Sequence, residues 1–210
     1  MTIGQLTSTV KEHTLQPISR LFQDRKTSSS VISCDPISLE YVELHSNFSF
    51  KNHSSLQVGE NFYAVSYATT QVTRVENVHS TSQNLVFRPL ASLGKCHMWH
   101  IICRYKKEAF YVIGGTTDGY ILNVPHSDVH RFEIASDQLV AAPSLNQARY
   151  GGSACELNGL IYVFWGKSGK FDNYLRTIET LDVASQARRW QMFELDFISS
   201  RARPMVCPID

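Results

Sequence analysis

The run Cys96-His97-Met98-Trp99-His100-Ile101-Ile102-Cys103 brings two thiols and two imidazoles close together, and cysteine sulfur and histidine nitrogen are the usual ligands of zinc. On an extended strand alternate side chains face opposite ways, so Cys96 and His100 share one side while His97 and Cys103 share the other. A four-ligand site cannot form from this run alone, and no metal centre is expected. Nucleophilic catalysis finds no support either: there is no Gly-x-Ser-x-Gly elbow, and His126 and His130 lie in a loop and at the start of a strand without a carboxylate–nucleophile arrangement nearby. A phosphate-cradling glycine loop is missing as well. The chain is therefore expected not to be an enzyme and to need no cofactor. Binding chemistry remains. Arg149 and Arg203 can each grip a carboxylate through two hydrogen bonds, and Tyr150 and the pair Met98-Trp99, read as the counterpart of Arg149-Tyr150, offer broad apolar and stacking area.

The elements that must position these residues are strands. Phe62-Tyr63-Ala64-Val65-Ser66-Tyr67 resembles Phe110-Tyr111-Val112-Ile113-Gly114-Gly115, and that resembles Ile161-Tyr162-Val163-Phe164-Trp165-Gly166, at offsets of 48 and 51 residues. Self-similarity at such a period marks a repeat architecture. A second strand follows each aromatic one, at Thr73–Val78, His130–Ile134 and Thr177–Val183. A third follows at Leu85–Leu90, Gln138–Pro143 and Arg189–Leu195, in which Leu139 and Trp190 each lie 29 residues after Phe110 and Ile161 and so share one repeated packing site. Ahead of the aromatic strand stands a small-residue strand, at His100–Tyr105 and Gly151–Leu157, and Arg203–Asp210 begins it again. Cys103, Cys155 and Cys207 fall in these strands 52 residues apart and are expected as small apolar fillers.

Four short strands per unit at a period near 50 form the pattern of a propeller blade. The residues resemble the kelch-repeat family: a small-residue strand, a turn such as Leu157-Asn158-Gly159, an aromatic strand ending in a glycine pair, a strand of the Arg131-Phe132-Glu133-Ile134 type, then a Trp such as Trp190. The likeness covers roughly residues 56 to 210. Ser66-Tyr67 replaces the glycine pair in the first unit, and Trp165-Gly166 does so in the third. The expected fold is all-β, with about three four-stranded kelch-type blades in an incomplete ring. Blades are placed at about 54–92, 98–145 and 149–197, with a trailing strand at 203–210. Gly114, Gly115, Gly166, Tyr111, Tyr162 and Trp190 are read as the structural blade motif. The glycines, lacking Cβ, allow positive φ and close backbone approach.

Residues 1–36 are polar, with Pro17 breaking a helix-like stretch, and are expected as a tail or linker. One strand is expected after Pro36, around Leu39, Tyr41 and Val42. Lys plus Arg number 20 against 19 for Asp plus Glu, and no long run of either sign occurs, so neither a nucleic acid nor an anionic membrane is expected as partner. Met1–Val10 lacks the charged start and apolar core of a secretory signal. No apolar run is long enough to span a bilayer. The five cysteines, odd in number and dispersed, fit reduced thiols, so a cytoplasmic location is expected.

The kelch resemblance implies a protein-binding scaffold or adaptor. It places the loop before the small-residue strand, with Arg149, Tyr150, Arg203, Met98 and Trp99, on the propeller face where partner peptides bind. Acidic peptide segments are the expected ligands of the arginines. Three blades are fewer than the four to eight that close a ring, so apolar blade faces, such as that around Phe193 and Phe197, are expected to stay open and to favour self-association that completes a propeller. Two alternatives stand beside this reading: a metal-dependent oxidoreductase resembling the copper radical oxidases, which share such blades, and a propeller fragment with little function of its own.

Overall fold

The computed structural model describes residues 22–23, 30–34, 41–45, 53–59, 61–67, 70–76, 86–94, 98–117, 124–169 and 173–194, with the backbone alone for the first three strands. The chain separates into two compact units, Met1–Phe50 with Val78–Leu85, and Lys51–Asn77 with Val86–Asp210. In the first unit, β1 (Phe22–Gln23), β2 (Ser30–Cys34) and β3 (Tyr41–His45) form an antiparallel three-stranded sheet in that order. The expectation of a polar tail over residues 1–36 is thereby corrected: β1 and β2 lie inside it, paired with Phe22 opposite Ile32 and Ser33 opposite Val42. Ser30-Val31-Ile32-Ser33-Cys34 is short, but its β-branched centre suits extended backbone. The unit boundary falls near residue 50, not residue 36.

The second unit holds three four-stranded antiparallel sheets, each a simple meander. The first comprises β4 (His53–Val58), β5 (Asn61–Ser66), β6 (Gln71–Glu76) and β7 (Val86–Ser92). The second comprises β8 (Ile101–Tyr105), β9 (Ala109–Ile113), β10 (Val129–Glu133) and β11 (Gln138–Ala142). The third comprises β12 (Ser153–Leu157), β13 (Leu160–Phe164), β14 (Thr177–Asp182) and β15 (Gln191–Glu194). The β12–β13 turn is made by Asn158 and Gly159, with φ of 53° and 82°. Both central residues take positive φ in the hairpin turn whose twist matches that of the strands. Among the described residues no helix is long and apolar enough to cross a membrane.

Register makes the repeat explicit. Tyr63 pairs with Arg74, Tyr111 with Arg131, and Tyr162 with Thr180, so the three tyrosines occupy one position of three successive sheets. The faces then alternate. Val58, Tyr63, Val65 and Val72 of the first sheet pack against Phe110, Val112 and Phe132 of the second. Tyr111, Ile113 and Val129, on the other face of the second sheet, pack against Ile161, Val163, Leu181 and Trp190 of the third. Every residue of β9 is consequently buried. Burying one such side chain stabilises the fold by roughly 1.5–3 kcal/mol. The small-residue strands are neighbours in space, β4 beside β8 and β8 beside β12.

Candidate partner-binding face

Arg149 follows the last strand of the second sheet and precedes the first strand of the third. Its side chain is wholly buried and pairs with Glu179 of β14, Nη2 to Oε1 2.6 Å. Nη1 also donates to the carbonyls of Trp165 and Thr177 at 3.0 and 3.2 Å, and Nη2 donates to the Thr177 hydroxyl at 3.1 Å. Glu179 in turn accepts the backbone N–H groups of Asn146 and Gln147 at 2.7 and 3.1 Å, and the Asn146 amide at 3.0 Å. Burial lowers the Arg149 pKa, while the Glu179 carboxylate opposes that shift. The main chain of Arg149 ties the other side: its carbonyl accepts from Gly115 N–H at 2.8 Å, and its N–H donates to His126 at 3.0 Å. One residue thus clasps the second sheet to the third.

The described loop residues around this clasp, its rim, are linked to one another. Tyr150 and Lys167 exchange backbone hydrogen bonds at 3.0 and 2.9 Å, Gly151 N–H donates to Trp99, and Met98 exchanges bonds with Thr116. The Trp99 and Tyr150 rings stack with centroids 5.6 Å apart. Lys167 Nζ stands 4.6 Å from the centre of the Tyr174 ring, a cation–π contact. Tyr174 is 36% exposed, and Arg176 two residues on is exposed as well.

The expectation that Arg149 grips an acidic peptide is corrected here: its guanidinium is inside the protein, and its donors are engaged by Glu179, Trp165 and Thr177. Tyr150 is buried too, with its hydroxyl donating to the Gly169 carbonyl at 3.1 Å. Trp99 and Met98 are half-buried on the rim. Their alignment with Arg149-Tyr150 is off by one residue. Met98 bridges to Thr116 as Tyr150 does to Lys167, and Trp99 matches Gly151, both with positive φ. The 52-residue spacing of Cys103 and Cys155 carried this register. Arg203 and Phe197, with Cys96 and His97 of the candidate metal run, lie outside the described residues. His100 is buried and meets the Tyr67 ring edge-on at 4.8 Å.

The residues read as the blade motif line this junction. A Cβ on Gly114 would collide with the Arg149 carbonyl oxygen. On Gly115 it would come within 3.1 Å of the Met98 carbonyl, and on Gly166 within 2.8 Å of that of Tyr150. Trp190 packs in the core between the second and third sheets, and its Nε1 donates to the Pro143 carbonyl at 2.8 Å. Leu139 borders the preceding core. Tyr111 is buried between two sheets, and Tyr162 is half-buried on the far side of the third. Sequence reading missed Glu179, Lys167 and Tyr174. Glu179 left a signal: it shares a strand face with buried Leu181, where an acid must find a donor.

No protein-family model and no curated protein sequence matches the chain. Among solved structures, that of YjhT, a β-propeller protein, aligns with a TM-score of 0.60 at 13% identity, over 79% of this chain and 52% of YjhT. The fold is that of β-propeller blades. This chain spans about half the length of the YjhT propeller. In propeller terms, Arg149 and Glu179 join two blades, and the rim bearing Trp99, Lys167 and Tyr174 is built from loops of successive blades.

Proposed function

We propose that the chain is a non-catalytic protein-interaction module of the kelch-repeat kind, a scaffold or adaptor that holds a partner peptide on the rim of its blades. The observation that carries this reading is the rim itself. Partly exposed Trp99 and Tyr174 flank Lys167 on loops fixed by backbone hydrogen bonds to two blades. Aromatic and cationic side chains on a rigid frame bind with little ordering cost. Acidic peptides remain the ligand class, but Lys167 and Arg176 supply the positive charge, not Arg149. The kelch-like order of motifs in the second and third repeats supports the same assignment. Selection from a displayed peptide library should enrich segments combining Asp or Glu with an aromatic residue. The double variant Lys167→Glu, Tyr174→Ala should weaken their binding at least tenfold and leave the melting temperature unchanged. Equal binding by parent and variant would remove the rim from the function.

A further inference from the structure

The two blade junctions use the same positions and differ in one charge. At the first, Arg74 of β6 stands opposite Tyr63 and meets Glu76 of its own strand, Nε to Oε1 3.3 Å. Its Nη1 reaches across to Asp137 of the second blade, 3.3 and 3.4 Å from the two carboxylate oxygens. At the second junction, Arg131 of β10 stands opposite Tyr111 and keeps the same-strand partner, Nε to Glu133 Oε1 3.3 Å. The carboxylate from the next blade is what changes. Asp137 lies two residues before Leu139, and Arg188 lies two before Trp190, the residue of the same packing site. Both take positive φ, 55° and 38°. The third blade therefore offers a guanidinium where the second offers a carboxylate.

A hollow lies at this altered junction. Its volume is about 120 Å³, and its walls include Tyr111, Arg131, Glu133, Leu181, Asp182 and Arg188. It opens to water at Asp182 and Arg188, which are exposed. Both acids in it are already engaged: Glu133 by Arg131, and Asp182, whose Oδ1 accepts the N–H groups of Ala184 and Ser185 at 3.0 and 3.2 Å. Among the described residues Arg188 makes no ion pair. Two guanidinium groups thus border one cleft, with the Tyr111 phenol as a further donor. At roughly 30 Å³ per water the space equals about four waters. That admits a carboxylate on a chain of about two or three carbons, and it is well below the roughly 300 Å³ of sites for larger organic ligands.

We infer that the hollow between the second and third blades binds a small carboxylate, held between Arg131 and Arg188 as Asp137 is held by Arg74 at the first junction. The carboxylate belongs either to a free short-chain acid or to an aspartate side chain of a bound protein. This inference does not rest on the rim assignment, because no rim side chain lines the hollow.

An NMR titration of the chain with sodium acetate, following the arginine Nε–Hε signals at constant ionic strength, tests it. The expected result is a saturable shift of the Arg131 and Arg188 signals that sodium chloride does not produce. Arg188→Asn should weaken acetate binding at least tenfold, read at Arg131. Arg188→Asp, which supplies the acid of the first junction, should abolish it. Asn and Asp tolerate positive φ alike, so a higher melting temperature for the Asp variant than for the Asn variant reports the restored ion pair. Tighter binding of N-acetyl-aspartate N-methylamide than of acetate would give the source as a partner side chain, and the reverse order a free acid. No saturable acetate shift, an equal response to chloride, acetate binding retained in both variants, or equal melting of the two variants would overturn the inference.

Discussion

Arg149 shows how a residue chosen for its binding chemistry can spend that chemistry internally. A guanidinium presents five donors in a rigid fork, and here Glu179, Trp165 and Thr177 take the four of Nη1 and Nη2 at 2.6–3.2 Å while Nε donates to the Gln147 carbonyl at 3.4 Å, with no exposure to water. Arg149→Met should therefore leave a buried carboxylate without its cation and cost about 3–5 kcal/mol. For a chain of this size that lowers the melting temperature by roughly ten degrees. Arg149→Lys should rescue little, since a single ammonium lacks the planar fork. Arg149→Met combined with Glu179→Gln should recover a large part of the loss, because the isolated charge is gone. Denaturant unfolding of the four proteins checks the series, and a loss below about 1 kcal/mol for the first variant would mean that the pair does not hold the folded state. The importance of Arg149 was legible from its place before a small-residue strand. Its role was not, because the partner stands 30 residues away and nothing local says whether a loop arginine turns outward or inward.

At the scale of the element, the second sheet packs on the first with one face and on the third with the other, and two of its titratable groups record that. Burial, the larger cause, pushes the Cys103 thiol from 9.0 up to about 12, with Cys155 and Glu156 adding to it. Burial likewise raises the Tyr111 phenol from 10.0 to about 12. The folded chain thus holds both protons more tightly than the unfolded one. Their contribution is fully present below pH 9, and it falls as pH rises from there toward 12, by roughly 1.4 kcal/mol per pH unit for each group titrating. The urea midpoint should accordingly hold steady to about pH 9 and then decline. In Cys103→Ala the decline should be shallower between pH 9 and 10, where the thiol alone of the two titrates in the unfolded chain. Parallel slopes for parent and variant would show that Cys103 ionises equally in both states. The strands themselves were readable because each blade repeats one aromatic run whose two faces are both used, as in Phe110-Tyr111-Val112-Ile113. The two short strands β1 and β2 were not, since Phe22-Gln23 and Ser30–Cys34 belong to no repeat and lie in polar sequence. The alignment of Met98 with Arg149 failed for a different reason: Trp99 takes the positive φ that Gly151 takes one repeat later, and residue type gave no sign of it.

For the whole molecule, order along the stack should set how each blade opens. Repeats that touch only their neighbours have stabilities that sum over interfaces, and among the described residues the second blade has two such interfaces while the third has one. All five residues of β9 are buried, whereas β13 alternates buried Ile161 and Val163 with half-buried Leu160, Tyr162 and Phe164. The buried half of β13 packs on the second blade, so the third can peel away by giving up one core, while the second can open only by giving up two. Hydrogen exchange should find the amides of β9 the slowest and those of β13 faster, through local opening of the third blade. Trp190→Ala, which removes both packing and the Pro143 bond from that single core, should speed exchange in β13 and β14 far more than in β5. Equal protection of β5, β9 and β13 would mean instead that the blades open together, and the difference in packing between the second and third blades would then carry no energetic consequence.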